Sequence, residues 1–481
     1  MLNMLLWVSY FFFAYYLLSN GVYLVLLIAA LISTSRHRDR LSTRGLDLIT
    51  SSPFTPPISV ICPARNEAAS IIASVEALLN LDYPQLEVVV VNDGSTDRTL
   101  QLLQETFQLR PANMLYFQEC PSGPVRGIYA SNTRPALLVV DKENRRSKAD
   151  AINCGLNLAS GQYVCVIDAD SLLENDALLR IMSGLRTASD APVVAIGGIV
   201  RILNGCSVEG ARIADVHLPP SPVEVLQIIE YLRAFLIGRE GWAMFKMLPI
   251  ISGAFGVFKT ELVRRIGGFR TSAIGEDLDL VVRMHRTLLE EGTDYSIMFV
   301  PDPACWTEVP NDLRSLARQR ARWQKGLLDV LWPNRDMLFK RRYGRLGSIM
   351  LPYLWVYELF EPAVELLGYL SITAAWLLHA LRFAVFFEIM FYGYAFATLI
   401  SIGAILLEEM TYRRYNRWRH VAKLILYCFI EHFPYRQMNM WWRLQGMWQY
   451  FKGDMEWKEA KRIGIPCAPA QQKPAAAHHI E

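Results

Sequence analysis

Hydrophobic and polar positions divide this chain into three regimes. Residues 5–34 are almost continuously apolar and carry no charged side chain. At about 1.5 Å rise per residue, a helix of that length can cross a bilayer. A cleaved signal peptide fits poorly, because no basic residue precedes the run and the run is too long. Arg36, Arg38, Arg40 and Arg44 follow it, which places the next segment on the cytoplasmic side by the positive-inside rule. From about residue 58 to about 342 the pattern changes. Short β-branched runs at 58–63, 86–91, 136–140 and 163–167 alternate with helical periodicity at 68–80, 97–109 and 148–158. This alternation predicts a doubly wound α/β sheet, mostly parallel. Residues 111–131 fit no element and read as an inserted loop.

After about residue 347 the apolar character returns. Residues 350–378 and 383–407 are each long enough to span, and the basic stretch 412–420 between the second of these and the next apolar run is expected on the cytoplasmic side. Residues 421–442 are interrupted by Glu431, Pro434 and Arg436. They read either as a third C-terminal span or as a membrane-surface helix. The tail after Gly464 is rich in Pro, Ala and Gln and is expected to be disordered. The expected organisation is therefore a transmembrane helix (1–34), a basic linker (35–57), a cytoplasmic α/β domain (58–342), transmembrane or interfacial helices (343–455) and a flexible tail (456–481).

Composition adds constraints. Hydrophobic residues make up 52% of the 481, high for a soluble protein and in keeping with membrane segments. A net charge of +3 gives no global case for a nucleic-acid partner. The 8 cysteines show no C-x-x-C pair and no metal-ligand spacing. They are expected to be free thiols.

In a doubly wound sheet, ligands bind beyond the carboxyl ends of the strands. Three predicted strand ends carry acids there: Glu67, Asp93, and Asp168 with Asp170. Side chains at i and i+2 of a strand project together, so Asp168 and Asp170 read either as two hard oxygen ligands for a divalent cation or as the cap of a following helix. Lys148, at a helix start, can neutralise a diphosphate or sit on the surface. Gly275-Glu276-Asp277-Leu278-Asp279 opens a helix with three acids in four positions, and one of them is a candidate general base. Residues 314–325 form a helix with a basic face. It suits lipid phosphates, or a site in which Arg322 meets a leaving phosphate while Trp323 and Gln319 hold a sugar.

Together these segments resemble family 2 inverting glycosyltransferases, specifically the membrane-embedded processive branch that includes synthases of cellulose, hyaluronan and poly-N-acetylglucosamine. The resemblance rests on Pro63-Ala64-Arg65-Asn66-Glu67, Val91-Asn92-Asp93-Gly94-Ser95, Lys148-Ala149-Asp150-Ala151, Asp168-Ala169-Asp170, Ile251-Ser252-Gly253-Ala254, Gly275-Glu276-Asp277 and Gln319-x-x-Arg322-Trp323, in that order. It implies a GT-A-like mixed sheet flanked by transmembrane helices. It further implies that Glu67, Asp93, Lys148 and Asp168 bind a nucleotide-sugar donor, expected to be UDP-linked. Asp168 and Asp170 would hold Mg²⁺ or Mn²⁺, and Asp277 would deprotonate the acceptor. Gln319, Arg322 and Trp323 would bind the acceptor and leaving group. The expected partners are a glycan or lipid-linked acceptor, membrane lipids and export subunits, with no nucleic acid.

The chain departs from the family at Asn144-Arg145-Arg146-Ser147, where a Gly often precedes the lysine, and it lacks the downstream two-arginine cyclic-dinucleotide motif. Transfer of one sugar to a lipid carrier is the alternative enzyme. A non-catalytic nucleotide-sugar receptor is the alternative class. Glu358, Glu361 and Glu365 share one helical face and either line a path for a growing glycan or pair with the basic helix.

Overall fold

The computed structural model describes residues 2–41, 55–187, 191–210, 212–379 and 382–454. Most of the basic linker and the C-terminal tail lie outside the described residues.

A ten-stranded sheet runs through the α/β region. Its strands are β1 (Ile58–Ala64), β2 (Leu86–Asp93), β3 (Leu109–Pro111), β4 (Val125–Ser131), β5 (Leu137–Lys142), β6 (Tyr163–Val166), β7 (Ser171–Leu173) and β8 (Val193–Ile202), then β11 (Gly256–Lys259) and β12 (Ser296–Thr307). Two short strands, β9 (Ser207–Glu209) and β10 (Arg212–Asp215), form a separate antiparallel pair. The spatial order is β3-β4-β5-β2-β1-β6-β11-β8-β12-β7. Strands β5, β2, β1 and β6 are parallel neighbours. β11 runs antiparallel to both β6 and β8, so the sheet is mixed.

The β-branched runs explain the centre. Val88, Val89, Val90 and Val91 of β2, with Ile58, Val60 and Ile61 of β1, are buried without alternation, as expected for strands covered on both faces. Register then sets the carboxyl ends level: Ala64 lies beside Asn92, Asn92 beside Asp141, and Asp93 beside Lys142. The start of β11 reaches the same edge, with Gly256 opposite Val166, and it delivers residues 251–254 there.

Two expectations about local structure change. Residues 111–131 are not simply a loop. β4 lies within them and pairs antiparallel with β3 and β5, finishing one edge of the sheet. The remainder is pinned to the Lys148–Leu158 helix: Gly123 N donates to Asp150 Oδ1 at 2.8 Å, Asn153 Nδ2 donates to the Pro121 carbonyl at 2.9 Å, and Asn157 bonds both backbone groups of Cys120. Second, no helix follows directly on Asp168 and Asp170. The strand β7 begins at Ser171, and the next helix is Ala177–Thr187. The helix-cap reading of this acid pair therefore falls.

Two helices are long and apolar enough to cross a membrane, Trp7–Arg36 and Phe383–Thr411. The 350–378 stretch is broken instead. A π turn over Leu354–Leu359 leads into a separate helix, Glu361–Leu377. Residues 421–442 are also not one helix. Trp418–Ile430 gives way to a kink at Phe433, and Arg436–Phe451 follows. That last helix packs on Leu313–Leu331 and neutralises the acidic face of Glu361–Leu377. Arg436 bonds Glu365 at 2.9 Å and Glu361 at 3.1 Å, and Arg443 bonds Glu361 at 2.6 Å. Pairing thus accounts for Glu361 and Glu365, but their partners belong to Arg436–Phe451 and not to the basic helix. The sheet itself is tied to the second long apolar helix by a buried bidentate pair, Arg201 to Glu408, with both bonds at 2.8 Å.

Candidate active site

The site lies where the carboxyl ends of β1, β2, β5 and β6 meet the start of β11. On one flank, Asp93 ends β2 and register sets it beside Lys142. The Lys142 ammonium is fully buried and donates to Asp93 Oδ1 at 2.7 Å, and it pairs with Asp150 Oδ2 at 2.5 Å. Burial alone would lower the lysine pKa, but the two carboxylates outweigh it and the pKa is raised. Asn144 Nδ2 bonds the other Asp93 oxygen at 2.7 Å. Glu67 is also buried. Its carboxylate accepts from Ser70 Oγ at 2.8 Å and its N–H donates to Thr99 Oγ1 at 2.9 Å. Asn66, in the left-handed region, accepts from Thr96 N at 2.8 Å, which ties the loop after β1 to the loop after β2.

At the centre, Lys148 pairs with Asp168 and lies 4.0 Å from Glu276. It also donates to the Gly253 carbonyl at 3.3 Å. Lys148 is therefore not a solvated surface lysine. Burial pulls its pKa down, but Asp168 and Glu276 raise it on balance. Asp170 is buried beside Ser171, whose hydroxyl also bonds Thr307 of β12 at 2.9 Å. Beneath the acids, the buried Cys62 thiol of β1 is pushed up by burial and by the charges of Asp168, Glu67 and Asp170, with Lys148 opposing. One thiol thus reports the convergence of four residues from three separate motifs.

On the other flank, Gly253 N approaches Asp277 Oδ2 at 3.4 Å. A Cβ on Gly253 would stand 3.3 Å from Lys148 Nζ and 3.9 Å from Asp277 Oδ2. A larger residue would crowd both groups. The Glu276–Glu291 helix begins where Gly275 meets Gly326 of the Leu313–Leu331 helix: a Cβ on Gly326 would lie 3.1 Å from the Gly275 backbone. That close approach carries Arg322, one turn before Gly326, toward Glu276. Burial raises the Glu276 pKa, while Lys148 and Arg322 oppose the rise. Trp323 is 43% exposed, with the Arg320 guanidinium 4.4 Å from its ring centroid. Gln319 keeps a buried Oε1 with no hydrogen-bond partner among the described residues.

Residues 56–326, more than half the chain, match the sequence profile described as glycosyltransferase like family 2. The chain belongs to glycosyltransferase family 2. Similar relatives are the poly-β-1,6-N-acetyl-D-glucosamine synthases of Staphylococcus epidermidis, 26% identical over 378 residues and covering 77% of this chain and 78% of the relative, and of Staphylococcus aureus, 28% identical over 308 residues and covering 62% of each. Among solved structures, the mannosyltransferase PcManGT from Pyrobaculum calidifontis, in complex with GDP-Man and Mn²⁺, superposes with a TM-score of 0.50. It covers 87% of this chain and 98% of its own, at 21% identity. That likeness shows a shared GT-A-like fold.

Within this family member, the structure draws Lys148, Asp168 and Asp277 together around Gly253 and sets Asp93 apart with Lys142. Lys142 and Asn144 were not among the residues singled out in the sequence. The available signal was a lysine closing an apolar strand, Leu137–Lys142, which needs a buried counter-charge. Among the described residues, no three His, Cys, Asp or Glu side chains gather as a metal set.

Proposed function

We propose that this family 2 glycosyltransferase is a membrane-bound inverting enzyme. In this reading it extends a β-linked glycan from a nucleotide sugar, a UDP-hexose or UDP-N-acetylhexosamine, with its 58–342 domain on the cytoplasmic side. The observation that carries the reading is the line Asp168–Lys148–Gly253–Asp277. It sets a cation and a carboxylate of the donor side against a second carboxylate across a single glycine. The named relatives make a polymer of N-acetylglucosamine, which supports the glycan product and the donor class.

Each residue then has a task. Glu67 and Asp93 receive the nucleoside. Both Asp93 oxygens already accept a bond, and each retains a lone pair for the base. Lys148 and Arg322 take up charge on the leaving diphosphate, where preorganised donors are most effective. Asp277 accepts the proton of the acceptor hydroxyl as that oxygen bonds to the anomeric carbon and the bond to the diphosphate oxygen breaks. Displacement from one side inverts the centre, so an α-linked donor yields a β-linked product. Gln319 and Trp323 hold the acceptor sugar.

Asp168 and Asp170 suit Mg²⁺ or Mn²⁺ shared with the diphosphate. The protein offers two carboxylates, too few to hold an ion alone, and Lys148 already stands against Asp168 as a cation does. When bound, such an ion neutralises diphosphate charge. The test uses detergent-solubilised full-length protein with UDP- and GDP-sugars and Mn²⁺ or Mg²⁺, following nucleotide release and product size. Release with a UDP-sugar and a long product is expected. No release with any donor, with nucleotide binding intact, overturns the enzyme. A lipid carrying a single sugar overturns the polymerase.

A further inference from the structure

The helix Pro222–Leu232 runs on into a π turn, Arg233–Arg239. Such turns interrupt regular helices and are frequent at functional sites. Tyr231, Phe235 and Arg239 recur every four residues along it and stack on one another. The Tyr231 and Phe235 ring centroids are 5.7 Å apart, and the Arg239 guanidinium lies 3.6 Å from the Phe235 centroid. Arg239 NH1 is buried and has no hydrogen-bond partner among the described residues. The neighbouring acid does not serve it, since Glu240 bonds Ser33 of the first helix. Desolvation pulls Arg239 down to about 10, and Asp277 is the acid whose charge opposes this. Tyr231, at the other end of the stack, feels Arg320 and Asp170, and Arg320 in turn lies over Trp323. The stack therefore runs along the site from the Asp170 side to the Asp277 side.

A buried, unpaired cation is costly, and this one stands beside the carboxylate of the proposed base. The diphosphate has its own cations in Lys148 and Arg322. Two aromatic side chains with a guanidinium at the end suit a sugar: ring carbons meet the aromatic rings, and a fork of N–H donors meets hydroxyl or acetamido oxygens.

We infer that Tyr231, Phe235 and Arg239 form one wall of the acceptor subsite, with Arg239 donating to an oxygen of the acceptor sugar next to the hydroxyl that Asp277 deprotonates. This rests on the proposed glycosyltransferase reading and extends it to residues outside every motif noted in the sequence.

The test compares full-length Arg239→Met and Arg239→Gln with the parent protein in detergent. The probes are UDP-N-acetylglucosamine, Mn²⁺ and a β-1,6-linked N-acetylglucosamine tetramer as added acceptor. The acceptor KM is expected to rise roughly 10- to 100-fold, the scale of one charge-assisted hydrogen bond. Affinity for UDP, measured by calorimetry, should stay within about twofold of the parent, a margin far below that scale. Arg239→Met should melt no lower than the parent, because it removes an unpaired buried charge. An unchanged acceptor KM overturns the inference. So does a fall in melting temperature with parallel loss of UDP affinity, which marks a structural arginine. A parent protein that releases no UDP from any nucleotide sugar overturns the functional reading and this inference with it.

Discussion

The two flanks of the site are built on opposite plans. On the donor flank every acid is held by a protein partner: Asp93 by Lys142 and Asn144, Asp150 by Lys142, Glu67 by Ser70, and Asp168 by Lys148. On the acceptor flank, Gln319 Oε1 and Arg239 NH1 have no partner among the described residues, and Trp323 stands half exposed. A pocket for one nucleotide gains from rigidity, because preorganised charges need not rearrange when the diphosphate departs. A surface that must release and readmit a lengthening chain gains from leaving hydrogen-bonding capacity open for each arriving sugar.

The sharpest way to break this contrast is Asp170→Asn. Transfer should fall by roughly 10³-fold or more, the cost of several kcal/mol of charge stabilisation at the diphosphate, while the protein stays folded and inserted. An active variant would remove Asp170 from the reaction. Next is Lys142→Met, which strands two carboxylates at a buried position. It should cost roughly 3–5 kcal/mol, read as a drop in melting temperature in detergent. A shift near zero would mean that the donor flank does not depend on this triad.

His285 offers a pH test of the scaffold behind Asp277. It lies on the same helix, fully desolvated, with Nδ1 2.6 Å from Tyr295 Oη and Nε2 2.9 Å from the Leu248 carbonyl, and burial lowers it to about 4. Its folded value lies below the ordinary one, so the unfolded chain takes up the proton first as pH falls. This group's contribution is therefore lost between about pH 6.5 and 4, at up to about 1.4 kcal/mol per pH unit. Melting curves of the parent should decline over that window, and His285→Gln should flatten the decline. An identical decline in the variant would assign it to other groups. The smallest effect is expected for Trp323→Ala: about tenfold in acceptor KM, the upper range for one aromatic contact, with little change in melting temperature because the ring is already half in solvent. A large loss of stability would recast Trp323 as a packing residue.

Much of the fold was legible along the chain. Uninterrupted β-branched runs mark strands covered on both faces, and acids closing such runs mark the binding edge, so Glu67, Asp93, Asp168 and Asp170 could be named before their neighbours were known. The acid-rich opening of the Glu276–Glu291 helix and the Gln319-x-x-Arg322-Trp323 segment were legible for the same reason: their residue types exceed what capping or solvation requires. The edge strand within 111–131 was not legible. Val125–Ser131 is short and polar, and it becomes a strand because β5 offers it an unpaired edge.

The chain by itself therefore determined which segments are strands, which helices are apolar enough to enter a membrane, and which acids stand at strand ends. These follow from how each side chain partitions between water and an apolar interior, a property carried locally. Tertiary structure alone decided the partners. Lys142 meets Asp93 because parallel strands align 49 residues apart in the chain. Glu361 meets Arg443 and not the basic helix because the kink at Phe433 turns Arg436–Phe451 back against it. Asp277 comes near Arg322 because two glycines let their helices touch. A charge in a sequence states that a counter-charge or solvent is required. Only the register of distant segments states which one supplies it.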